Sequence, residues 1–452
     1  MSLGVQRAND NQGWLRRSSN VSLEEVNNSV KVPSKSGFWR KFLAFAGPGS
    51  LVAVGYVDPG NWATSIAGGA RFGYTLLSVI LISNLIAMLL QALAAKLGVV
   101  TGRDLAQATR DAVGRKTSAF LWVLTELAIV ATDLAEVIGS AIALNLLFGI
   151  PLLWGIAITT FDVLLLLLLQ KKGFRIIESI IIVLLLTIFG VFAFELIISK
   201  PEVSALLGGY VPKFEIVTNP EMLFISLGIL GATVMPHNLY LHSSIVQTRQ
   251  YERNPKGRKE AVKYSIIDSN ISLFFAFLIN SAILILGAAA FHGTGLDVSE
   301  IEGAYEMLSP TLGVGIASTL FAVALLASGQ NSTITGTLTG QIVMEGFVHL
   351  RVSPWLRRLL TRLLAVIPAL VVTWLAGSKG TGSLLLWSQV VLSLQLPFAV
   401  IPLVLFTSDK RKMGEFANRL WVKTLAWLST GVILALNVFL VAYIIVTGHE
   451  LG

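Results

Sequence analysis

The chain has 452 residues, 54% hydrophobic and only 13% charged, against about 25% charged in an ordinary soluble domain, and this is the composition of an integral membrane protein. Its net charge of +8 comes from 34 Lys and Arg scattered through short segments between apolar runs, where they set topology, which excludes nucleic acid as a partner. It contains no cysteine, so disulfides and thiolate metal sites are excluded, and any metal must be held by oxygen, nitrogen or thioether sulfur.

Residues 1–41 are polar, rich in Ser and Asn and without the apolar core of a signal peptide, and read as a mostly disordered cytoplasmic tail. Apolar runs long enough to span a bilayer follow at 44–69, 75–97, 118–147, 152–170, 174–198, 222–247, 265–291, 313–344, 360–377, 383–406 and 422–447. That predicts eleven transmembrane helices. Clusters of Lys and Arg occupy alternate connections, as at Arg103 to Lys116, Arg249 to Lys263 and Lys410 to Lys412, whereas the others carry only Arg71, Lys200, Lys213 and Lys379. The positive-inside rule then places the N-terminus in the cytoplasm and, with an odd helix count, the C-terminus outside a plasma membrane.

The first run contains Asp58, Pro59, Gly60 and Asn61 in its middle. Pro59 cannot donate to the carbonyl of Gly55 and Gly60 loosens the turn, so the helix should break here. In lipid a break is tolerated only where protein, water or a ligand satisfies the freed backbone. A carboxylate beside the break favours a cation site over the alternative of a plain proline kink. The sixth run repeats the device with Met235, Pro236, His237 and Asn238, and Pro236 frees the carbonyl of Ala232. Two broken helices, each opening a group of five, match an inverted-repeat transporter with its site near the bilayer midplane. The repeats would be residues 42–198 and 222–406, with 422–447 an added eleventh helix.

Together the breaks offer hard oxygen from Asp58 and Asn61, carbonyls from Gly55 and Ala232, and a thioether from Met235. Oxygen alone would suit magnesium or calcium, but sulfur beside a carboxylate suits manganese, iron, cobalt, zinc or cadmium. The alternative for Met235 is ordinary core packing. In the third run Glu126, Asp133 and Glu136 share one helical face, which must look into the bundle because three carboxylates cannot face lipid. Interhelical ion pairs and a proton relay are both open to them. His242, His292, His349 and His449 carry no metal assignment, and Gln91 approaches the site from the second run. Asp162 and Glu195 are read as pairing locally or snorkelling. No HExxH pair, P-loop or Gly-x-Ser-x-Gly is present, which argues against a metalloprotease, an ATP-driven pump and a serine hydrolase.

The segments Asp58-Pro59-Gly60-Asn61 and Met235-Pro236-His237-Asn238 resemble the two signature motifs of the Nramp family of proton-coupled divalent-metal transporters, and specifically its bacterial manganese importers. The likeness extends through QALAAKLGVVTGRDLA, TDLAEVIGSAIAL and SQVVLSLQLPFAVIPL, from Phe42 to the end. It implies an all-α membrane protein of the LeuT-like 5+5 fold with helices 1 and 6 discontinuous. It implies further that Asp58, Asn61, Met235 and the Ala232 carbonyl are metal ligands, joined in other states by the Gly55 carbonyl and Gln389. His237, Asp133, Glu136 and an arginine of the ninth helix, Arg362 ahead of Arg358, would serve the proton pathway. The resemblance points to a secondary active transporter rather than an enzyme, with no resident cofactor. It would be a monomer in the bilayer carrying Mn2+, and also Fe2+, Co2+ and Cd2+, with protons. An organic-solute symporter of the same fold is opposed by Asp58, which would repel a substrate carboxylate; a metal-dependent membrane enzyme or sensor is the reading from another class.

Overall fold

The computed structural model describes residues 14, 22–24, 26–33, 36–161, 174–294, 301–348 and 352–447. Its helices are α1 (Phe38–Phe45), α2 (Pro48–Gly55), α3 (Pro59–Phe72), α4 (Leu77–Thr101), α5 (Leu105–Ala112), α6 (Arg115–Phe148), α7 (Leu152–Thr159) and α8 (Phe174–Ser199). The short α9 (Val203–Gly209) and α10 (Glu215–Thr218) follow, then α11 (Pro220–Val234), α12 (Pro236–Ile245), α13 (Pro255–Phe291), α14 (Ile301–Leu312), α15 (Ala317–Val348), α16 (Pro354–Ser408), α17 (Lys410–Met413) and α18 (Leu420–Thr447). The described strands are β1 (Val30–Lys31) and β2 (Arg249–Gln250), paired in parallel.

Among the described residues eight helices are long and apolar enough to cross a membrane, and the chain is a multi-pass membrane protein. Eight differs from eleven for identifiable reasons. The first run is split, and its second half continues into α4 as one apolar stretch. The fourth run is described only as far as Phe161, with the remainder, Asp162 included, outside the described residues. The eighth run is the 32-residue α15, whose sequence is interrupted by Ser, Thr, Gly and Asn and whose polar face is buried against protein. The ninth and tenth runs remain two of the eight spans although α16 covers both, because Gly377 at φ 64° and ψ −149° breaks the helical path between them; that left-handed φ suits a residue without Cβ.

α6 lies in the middle, packed on α15 and α16, while α13 packs against α2, α3 and α4, and α11 packs against α16. Trp62, Phe192 and Phe321 stack edge to face at the centre, with ring centroids 4.7 and 5.1 Å from Trp62. The lipid-facing surface is apolar, as on α18 and at Trp374. Within residues 1–41, Leu23 and Val30 are buried, and α1 begins at Phe38.

Candidate metal site and polar network

The first break is the three residues Tyr56–Asp58 between α2 and α3. Asp58 is the N-cap of α3, its Oδ1 accepting from the Asn61 backbone N–H at 2.9 Å, and Pro59 fills the first helical position, where no N–H is needed. The second break is one residue, Met235, at φ 38° and ψ 99°. A non-glycine residue in that region costs roughly 1–3 kcal/mol and persists only where its surroundings enforce it. Pro236 then opens α12.

The backbone freed by the breaks is nearly all accounted for, as hydrocarbon requires. The Tyr56 carbonyl accepts from Asn280 Nδ2 at 2.7 Å, and the Val57 carbonyl from Trp62 Nε1 at 3.1 Å and from Ser328 Oγ. The Gly55 carbonyl accepts the Asp58 N–H at 3.4 Å, so Pro59 leaves it less open than a simple proline break would.

Asn61 joins the two breaks. Its Nδ2 donates to Asp58 Oδ1 at 3.0 Å and to the Ala232 carbonyl at 2.8 Å. Met235 Sδ is fully buried, accepts from Asn238 Nδ2 at 3.4 Å, and lies against Gly55, where an added Cβ would meet it at 3.0 Å. The amide of Gln389, on α16, packs directly on Gly60, leaving no room for a side chain there. Asp58 Oδ2 and Gln389 Oε1 are buried with no hydrogen-bond partner among the described residues. Acceptor oxygens without donors, set beside a thioether and a carbonyl, form a donor set that fits a divalent cation. No cluster of three His, Asp or Glu suited to a metal occurs among the described residues, so a metal here relies on the mixed donor set.

The residues expected on the proton pathway lie on α6, α12 and α16. Arg362 Nη1 donates to Glu136 Oε2 at 3.2 Å, both side chains fully buried, and Thr333 Oγ1 donates to the same oxygen at 3.1 Å. Asp133 is fully buried and within electrostatic reach of the His237 ring, on the helix turn after Met235. The side chain of Arg358 lies outside the described residues. Glu126, on the same face of α6, is bound by Arg357 at 2.9 and 3.0 Å and by Trp122 Nε1 at 3.0 Å. Glu195 is fully buried and neither oxygen has a hydrogen-bond partner among the described residues, so it neither pairs locally nor snorkels.

Sequence reasoning brought Gln91 toward the site but missed its partners, and it missed a second group altogether. His242 Nδ1 is 3.0 Å from Gln91 Oε1, and Gln91 Nε2 donates to the Tyr56 hydroxyl at 3.0 Å, a chain ending in the first break. A buried charge cluster also clamps the start of α2. Asp268 accepts from the N–H groups of Gly47 and Gly49, the latter at 2.7 Å, while Arg249 binds Glu178 and the Ala46 carbonyl, each at 2.6 Å. Arg175 adds bonds to the carbonyls of Leu43, Ala44 and Ala46. Gly47, at φ 134°, is obligatory, since a Cβ there would strike the Glu178 carboxylate.

The model of the Nramp family, described as natural resistance-associated macrophage protein-like, matches residues 49–443. The chain is 63% identical over 437 residues to the divalent metal cation transporter MntH of Listeria welshimeri, spanning 96% of this chain and 98% of that protein. The crystal structure of the Eremococcus coleocola manganese transporter is 47% identical and superposes with a TM-score of 0.87, covering 93% of this chain and 90% of that one. Mhp1, a nucleobase-cation-symport-1 family transporter, shares the fold at 16% identity and a TM-score of 0.58, over 94% and 93% of the two chains.

Proposed function

This chain belongs to the Nramp family, and from that premise we propose that it is a secondary active transporter importing divalent transition-metal ions, coupled to protons by alternating access. Mn2+, Fe2+, Co2+ and Cd2+ are its substrates. The observation that carries this reading is the bridge made by Asn61 between the Asp58 carboxylate and the Ala232 carbonyl, beside the Met235 sulfur. Two broken helices meet there through the very oxygens that a cation would use.

In this reading Asp58 neutralises part of the charge of a partly dehydrated ion arriving from outside, while Asn61, Ala232 and Met235 complete its shell. The Gly55 carbonyl and Gln389 join as the helices move. The inside-negative potential draws the ion inward by about 2.3 kcal/mol per elementary charge per 100 mV. His237, Asp133, Glu136 and Arg362 provide protons with a route separate from that of the ion. The frame is an inverted repeat of five and five helices with an eleventh added, broken at helices 1 and 6. It works as a monomer in the plasma membrane, with the N-terminus cytoplasmic and the C-terminus outside. The family likeness, the fold shared with Mhp1 and the Lys and Arg bias of the connections support this frame.

The test is manganese uptake into proteoliposomes, with and without an inward proton gradient. Uptake in wild type that the gradient accelerates, and its loss in Asp58→Ala, is the expected result. Manganese uptake by Asp58→Ala equal to wild type would overturn the site.

A further inference from the structure

The N-terminal segment that composition marks as a tail is packed across the same end of the bundle as the start of α2. β1 pairs with β2, immediately beyond α12, and this two-residue ladder is extended on each side. Asn28 N–H donates to the Gln247 carbonyl at 3.0 Å and Val32 N–H to the Gln250 carbonyl at 3.4 Å. Upstream, Leu23 N–H donates to Glu345 Oε2 at the end of α15, 3.0 Å away, and the buried Ser22 lies near Asp104 in the α4–α5 connection. Leu23, Ser22 and Val30 are buried. Trp14 reaches the same face: its carbonyl accepts from Arg103 at 3.0 Å, and its ring lies 4.4 Å from Lys412 Nζ and 5.4 Å from the ring of Phe406.

Two features make this docking reversible. Leu23 sits at φ 52°, a region that a leucine enters at a cost, so external contacts hold the backbone there against its own preference. Docking also rests on a two-residue ladder and a few apolar side chains, well short of a strand that could stand alone. The contacts fall on both repeats of the proposed frame: the α4–α5 connection belongs to the first, and α15 and the segment after α12 to the second. Any motion that separates the two halves on this side must break them.

We propose that residues 22–24 and 26–33 form a latch that, when docked, ties the two repeats together on the cytoplasmic side, and whose release limits the rate at which that side opens. This rests on the alternating-access reading and on the cytoplasmic placement of the N-terminus. The latch sets the turnover of the transporter without touching the ion site, and a cytoplasmic partner or modification acting on this segment would change uptake through it.

The chain has no native cysteine, so engineered pairs report cleanly. In Lys31→Cys/Gln250→Cys, exposed partners in the β1–β2 register, oxidation should cross-link the docked latch and abolish manganese uptake in proteoliposomes, and reductant should restore it. Leu23→Asp and Glu345→Ala, which weaken docking, should each raise the initial uptake rate about five-fold, the equivalent of one net hydrogen bond. Uptake unchanged by the cross-link, or rates in both weakening variants equal to or below wild type in well-folded protein, would overturn the latch. Efficient cross-linking in a wild-type background that takes up no metal at all would instead overturn the transport reading, because the cross-linking yield measures docking by itself.

Discussion

Arg362 and Glu136 form an ion pair at 3.2 Å with both side chains wholly removed from solvent. Removing one partner of such a pair leaves a buried charge and costs about 3–5 kcal/mol, whereas replacing both by neutral groups is close to neutral. Arg362→Met should therefore lower thermal stability in detergent markedly, because the Glu136 carboxylate keeps only its bond from Thr333 Oγ1 and its remaining neighbours. Arg362→Met/Glu136→Gln should recover most of that loss. If the pair also relays protons, the double variant, though stable, should take up manganese with a flattened pH dependence. Thermal unfolding monitored by size-exclusion chromatography, with proteoliposome uptake from pH 5 to 8, separates the two roles. A double variant as unstable as the single would refute the ion-pair energetics; a stable double variant with wild-type pH dependence would refute the relay.

Asp58→Ala should abolish manganese binding in calorimetry as well as uptake, since no other carboxylate belongs to either break among the described residues; affinity retained at the wild-type level would move the site elsewhere. Met235→Ala should still transport manganese but become inhibited by calcium at roughly millimolar concentration, the range of weak all-oxygen sites, and should lose cadmium affinity most. An unchanged order of calcium, manganese and cadmium in competition uptake would make Met235 a packing residue. Burial pushes Asp104 up to about 6 from 3.8. Its buried charged form is thus penalised, and the fold should lose about 3 kcal/mol as pH rises from about 4 through about 6. Asp104→Asn, still able to cap α5, should flatten that window in thermal unfolding; an unaltered slope would place the pH dependence on other groups.

The breaks were legible because proline acts locally: Pro59 and Pro236 remove a donor wherever they sit in a helix, and a neighbouring carboxylate or thioether is visible in the same four residues. The pairing of Arg362 with Glu136 followed from the family likeness rather than from spacing. The partners of Arg175, Arg249 and Arg357 were not legible. A basic residue at a helix end is already explained by topology, and nothing local distinguishes one that snorkels from one that folds back onto Glu178 or Glu126. His242 was set aside because it lies five residues after His237; its tie to Tyr56 runs through Gln91 on another helix. Leu23 and Val30 escaped notice because a polar segment without periodicity gives no sign of docking, and their partners lie more than 200 residues away.

The arrangement at Asn61 also bears on how the proposed site would choose its ion. Its Nδ2 gives both hydrogens to oxygens that a cation would claim, at 3.0 and 2.8 Å, so an entering ion must displace two donated bonds, one of them to a charged acceptor. Hydrogen bonds to charged groups are worth about 1.5–3 kcal/mol, and that cost is the same for every competitor. A divalent ion has twice the Coulomb attraction to Asp58 of a monovalent ion at the same distance. At the proposed site the fixed displacement cost and the doubled Coulomb gain act in favour of divalent cations, and a dehydration cost that rises with the square of the charge acts against them. The same reasoning cannot separate manganese from calcium, because their charges are equal. Within the divalent ions the proposed ligand set would leave the choice to its one donor that is not oxygen, the buried sulfur of Met235.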